Sequence, residues 1–221
     1  MAKPPPQVEV RVLRVFCGEG GSEGNALGMV MDGGLVAVDD RQAFAAHLGY
    51  AETVFVDDAA TGRIQIFAPD MEMPFAGHPS VGTAWFLRRE GFEIDALRPP
   101  AGKVPVRYER ENAYISGRAE WSPPFELQQF DTTAEIDTHP GVAEGMVYAW
   151  AWIDEAAGLI RARSFVPAAG IAEDEATGSA AVRLCDQLGR PIEIHQGRGS
   201  VIHAAPAADG MVEIGGVVVE D

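Results

Sequence analysis

The sequence predicts an α+β fold of two pseudo-symmetric lobes, each a mainly antiparallel sheet wrapped around a central helix. Three observations carry that reading. Short runs of alternating polar and apolar residues recur along the chain. Two helical patterns begin on small residues, around Gly77 and Gly178. The segments ahead of them match in spacing: Arg63, Phe67 and Pro69 in RIQIFAP repeat as Arg161, Phe165 and Pro167 in RARSFVP. An internal duplication accounts for all three. The first lobe is then residues 1–101, with its helix from about 78. The second is 102–221, with its helix from about 177, its final strands expected to cross back to the first lobe.

Taken in order, VEVRVLRVF (8–16) alternates and reads as a strand, with ALGMVM (26–31) as its neighbour. A helix follows over 39–49. Asp39 or Asp40 caps it, Phe44 and Leu48 share a face, and Gly49 closes it. ETVFV (52–56) and RIQIF (63–67) flank a turn and predict a hairpin. PFAGHPSVGTAWFL (74–87) is helical and apolar nearly all round, which predicts a helix buried on most sides, with Pro79 at its first position. KVPVRYER (103–110) and AYISG (113–117) predict a second hairpin, whereas 118–142, rich in Pro, Thr and acids, suggests little regular structure. The first-half pattern then returns: a hairpin from 147–153 and 159–165, a helix over 173–189, and late strands at 192–196, 200–205 and 211–220.

A net charge of −16 disfavours nucleic acid and anionic membrane surfaces as partners. No apolar run approaches the length of a membrane span, and MAKPPPQVEV has no apolar leader, so a cytoplasmic location is expected. Cys17 and Cys185 lack metal or redox spacing and read as buried free thiols. The glycine-rich stretch 17–28 lacks the pattern of a phosphate loop, so no nucleotide is expected. His195 and His203 alternate along strands and read as structural rather than metal ligands.

An anionic substrate in so acidic a chain needs a local positive spot, and helix N-termini supply one. Gly77 permits close backbone approach, and His78 stands at the start of the first central helix, its ring expected to point outward. Thr177, Gly178 and Ser179 form a matching small, hydroxyl-bearing start in the second lobe. Two such ends across a cleft would hold a small carboxylate. Acid/base candidates beside it are His78, Asp174 and Glu52. On residue type alone, His78 reads equally as a cap, Asp174 as a first-turn acid and Glu52 as a solvated strand-edge acid.

AETVFV (51–56), RIQIFAP (63–69), FAGHPSVG (75–82), EDEATGSAA (173–181) and QGRGS (196–200), in that order, resemble the phenazine-biosynthesis PhzF-like family over about residues 8 to 205. The resemblance implies the diaminopimelate-epimerase-like fold. It also implies a cofactor-independent isomerase, without metal, that moves a proton on a small carboxylate-bearing metabolite. The family's catalytic glutamate falls on Glu52 in Ala51-Glu52-Thr53, and His78 and Asp174 flank the substrate. Asn25, Gly77, Thr177, Gly178 and Ser179 would contact it. A homodimer is the assembly the resemblance suggests. Departures are Ala26 after Gly24-Asn25, Glu175 after Glu173-Asp174, and Gly199 in Gly197-Arg198-Gly199-Ser200, where the family has proline. Two readings stand beside the isomerase. A racemase or epimerase of this fold uses one thiol at each helix start, but Ala76 and Thr177 stand there. A non-catalytic binder would keep the cleft without turnover.

Overall fold

Alternation decides the strands, and the long-range pairing of those strands decides the shape. The computed structural model describes residues 8–221; the reading of residues 1–7 as free of a leader lies outside them. Strand β1 (Arg11–Cys17) pairs antiparallel with β2 (Asn25–Val30), which runs parallel to β3 (Glu52–Asp58). A parallel step needs a crossover, and helix α1 (Val38–Leu48) provides it. Ala37, not an aspartate, is its N-cap; Asp39 and Asp40 lie in the first turn, where their charge favours the helix dipole. Gly49, at φ 72°, closes it as expected. Strands β3 and β4 (Arg63–Phe67) form the predicted hairpin, and short β5 (Glu72–Met73) pairs with β4.

Helix α2 (Gly77–Arg89) follows, with ten of its residues buried. It packs against β1, β2 and β3, and against two later strands, β8 (Asn112–Gly117) and β15 (Val212–Glu220). Only one side meets solvent: Trp85 is half-buried there, with the Arg89 guanidinium 4.8 Å from its ring centre. Pro79 is the third helical residue rather than the first. It is tolerated there because first-turn amides have no partner in the helix. Strand β6 (Ala96–Leu97) pairs with β7 (Val104–Glu109), which forms a hairpin with β8 through Arg110, held at φ 53°.

Segment 118–142 is more regular than its composition suggests. Strand β9 (Glu126–Gln129) runs parallel to β10 (Val147–Asp154), and α3 (Thr133–Asp137) packs beside β10. A Thr132–Glu135 capping box starts that helix. Strand β11 (Leu159–Val166) forms a hairpin with β10 and pairs with β12 (Ile171–Asp174). Residues 173 and 174 therefore end a strand instead of opening a helix, and α4 (Gly178–Leu188) starts four residues further on. Pairing of Asp174 with Ser164 on β11 holds the acidic run extended. Strands β13 (Ile192–Gln196), β14 (Ser200–Pro206) and β15 complete the chain.

The two halves repeat one plan: a hairpin, a short strand antiparallel to its second arm, then a central helix. Eleven of the described strands form one hydrogen-bonded path, β5-β4-β3-β2-β1-β15-β14-β13-β11-β10-β9, with β8 and β12 branching from β15 and β11. At its centre, residues 212–216 of β15 bond β14 and β8, while 217–220 bond β1. A single large core runs along this path, from Leu13 and Ile66 to Leu184 and Ile202.

Candidate functional site

The two central helices meet at their N-termini. A Cβ built on Gly77 would lie 2.7 Å from the Gly178 carbonyl carbon, and one on Gly178 would lie 2.8 Å from the His78 amide nitrogen. No larger residue fits at either position with the helices this close. Two sets of first-turn amides, each carrying about half a positive charge, converge on one place.

Glu52 opens β3, in register with Leu27 of β2, and this pairing carries its carboxylate to the helix starts. His78, the second residue of α2, does not point outward: it is 2 % exposed, with Nδ1 2.9 Å from Glu52 Oε2. The approach is not aligned as a hydrogen bond, and Glu52 Oε2 and His78 Nε2 are both buried without a hydrogen-bond partner. Buried polar atoms without a partner are costly to keep, and here two of them stand beside a cleft.

Asp174 comes from the other half of the chain. Its Oδ1 accepts from Asn25 Nδ2 at 2.6 Å, and its Oδ2 from Thr177 Oγ1 at 2.6 Å. Asn25 also donates to the Ala176 carbonyl at 2.9 Å, so one amide ties the start of β2 to the approach to α4. Burial and the nearby Glu52 carboxylate push the Asp174 carboxyl up to about 7, against the opposing pull of His78 and of the two donors. Thr177 is committed internally: its amide donates to Gln196 Oε1 at 3.1 Å, and its hydroxyl accepts from Gln196 Nε2 at 3.0 Å.

Gln196 is the residue that sequence reasoning passed over. It is fully buried at the end of β13. Its amide also donates to the Asp174 carbonyl at 2.9 Å, and its oxygen accepts from Tyr148 OH at 2.9 Å. It thereby fixes both ends of the Asp174–Thr177 turn. The QGRGS stretch was a visible motif, but its first residue looked no different from any strand-end glutamine. Glu175, the departure from proline, has its Oε1 3.0 Å from Ser200 Oγ and its Oε2 3.2 Å from Arg198 Nε.

Glu52, Asp174, Thr177 and Ser179 line one narrow cleft, walled elsewhere by Met73, Phe125 and Met146. The structure thus gathers Glu52, His78, Asp174 and Asn25 around the abutting Gly77 and Gly178, with Ser179 on the cleft wall. Cys17 and Cys185 lie outside that lining, and burial raises both thiols, Cys185 to about 12. His195 and His203 belong to a different face, both beside Glu193, at 2.7 and 3.6 Å.

Solved structures with this architecture include one described as a predicted epimerase from Pseudomonas aeruginosa, at TM-score 0.76 and 24% identity over 97% of both chains. A hydroxyproline epimerase from Agrobacterium vitis matches at TM-score 0.60 and 11% identity, over 96% of this chain and 90% of that one. The class is therefore the α+β fold that these structures share. Residues 14–140 match the model of the PhzC-PhzF family of phenazine biosynthesis-like proteins, and the chain belongs to that family. The trans-2,3-dihydro-3-hydroxyanthranilate isomerase of Pseudomonas aeruginosa is 27% identical over 220 residues, covering 80% of this chain and 78% of that protein. The matched region of the family model holds Asn25, Glu52, Gly77 and His78; Asp174, Thr177 and Ser179 lie beyond it. No helix among the described residues is long and apolar enough to cross a membrane.

Proposed function

We propose that the protein is a cofactor-independent isomerase that moves a proton between carbons of a small carboxylate bound against the two helix N-termini. The observation that carries this reading is the placement of Glu52, with an unpartnered buried Oε2, beside two abutting helix starts. First-turn amides and the two dipoles hold the substrate carboxylate and stabilise the negative charge that develops when a neighbouring C–H bond breaks. Glu52 takes that proton as general base. The C–H electron pair forms a new C=C bond as a C=C bond already in the substrate opens, and the protonated Glu52 returns the proton to the far carbon of that opened bond. One proton leaves and one returns, so the step needs no oxidant, reductant or other co-reactant.

His78, at 2.9 Å, orients Glu52 and offers Nε2 to the substrate. Asp174, with its carboxyl near 7, holds or releases a proton at neutral pH. Asn25, Thr177 and Gln196 set its position, and Ser179 contributes a hydroxyl on the cleft wall. A two-thiol epimerase has no support, because Ala76 and Thr177 occupy the helix starts.

Solvent deuterium exchange into a panel of small cyclic and acyclic carboxylates, read by mass spectrometry, tests the reading. Wild-type protein is expected to label at least one member, and Glu52→Gln to lower that rate by about 10²-fold or more. Labelling at the wild-type rate by the variant refutes the role of Glu52. Tight binding without any exchange indicates a binding protein instead.

A further inference from the structure

The narrow cleft does not end at Glu52 and Asp174. Met73, Pro123 and Met146 on its wall also line a second cavity of about 260 Å³, so the two spaces adjoin across these side chains. The rest of that groove is built from Met71, Phe75 and Trp121, with the last two rings in edge contact at 5.8 Å. Residues of the first half, on the approach to α2, form one wall; 121–124 and Met146 form the other. The groove is large enough for a sizeable group, since an apolar cavity of about 150 Å³ accepts benzene. Methionines give it an adaptable lining. Ser122 lies in the same lining, and its buried Oγ has no hydrogen-bond partner.

We propose that this groove is a subsite for an apolar tail of about six carbons, so that the site takes amphiphilic carboxylates, with Met73 and Met146 as the residues that set tail size. The proposal rests on the carboxylate-binding reading above. The helix starts hold the head, the cleft holds the reacting carbons, and the tail passes between Met73 and Met146. Ser122 meets a hydrogen-bonding substituent on it.

The test uses the full chain labelled with ¹³C at its methionine methyls and titrated with propanoate, hexanoate, octanoate and 1-hexanol. Affinity is expected to rise by about fourfold for each methylene added to the acid, with the Met73 and Met146 methyl signals shifting as the tail enters. Met71→Trp, which fills the groove from a position outside the cleft lining, should remove the chain-length dependence and leave propanoate affinity unchanged. Octanoate binding no tighter than propanoate, or tighter without moving those two signals, overturns the proposal. So does a dimer that dissociates in Met146→Glu while octanoate leaves the methyls unmoved, which assigns the groove to a second copy. Because the wild-type titration decides by itself, a poorly folded variant does not rescue the idea. If 1-hexanol shifts the same methyls as tightly as hexanoate, the groove stands and the helix-start carboxylate reading fails.

Discussion

Gly77 and Gly178 touch backbone to backbone, with a Cβ on Gly77 placed 2.8 Å from the Gly178 Cα. Neither adopts a left-handed conformation, so what each position requires is the absence of a side chain. Gly77→Ala and Gly178→Ala must push the two helix starts apart within a packed core. Each is expected to cost about 2–3 kcal/mol, measured as a lowered urea midpoint. Deuterium exchange should also fall, because the two sets of amides no longer converge.

Asp174 makes stability depend on pH in an uncommon direction. Its carboxyl is raised from 3.8 to about 7 in the folded protein. Between those values the native state keeps a proton that the unfolded chain has released, so this group's contribution falls as pH rises from about 4 through about 7, then levels off. Asp174→Asn should flatten that slope. Urea unfolding of both proteins at pH 4.5 and 8 checks it: the variant gains on the wild type at the higher pH, by at most about 4 kcal/mol. A wild-type-minus-variant difference that rises across the window contradicts the assignment.

Gln196 bonds Tyr148, Thr177 and the Asp174 backbone while fully buried. Gln196→Leu keeps the volume and orphans those groups. The expected loss is about 2–4 kcal/mol, seen by chemical denaturation. Thr177→Val is milder in packing and removes a donor that favours ionised Asp174, so the titration of Asp174, followed by carboxyl ¹³C shifts, should move upward.

His78 separates two roles. If it only orients Glu52, His78→Asn should lower kcat by about tenfold and leave the pH profile in place. If it transfers a proton, the fall should reach about 10²-fold or more, and one limb of the profile should disappear. Steady-state kinetics on a substrate found by the exchange screen distinguishes them.

By itself the sequence determined the hairpins at 52–67 and 147–165, the buried character of α2 and the motifs that name the family, because strand alternation, helix starts and glycine punctuation are local properties. A local signal also lay unread in Thr132-x-x-Glu135, the capping box that orders a segment rich in acids and prolines. Other features were beyond local reading. That EDE (173–175) stays extended depends on the β11–β12 pairing, and that His78 is buried depends on where β3 carries Glu52. The contact of Asn25 with Asp174 joins residues from different halves of the chain. Their meeting requires β15 to bond strands of both halves and bring the two helix starts together. Only the tertiary structure decided this, because a strand's pattern specifies which face is buried, whereas its choice of neighbour is made by the whole sheet.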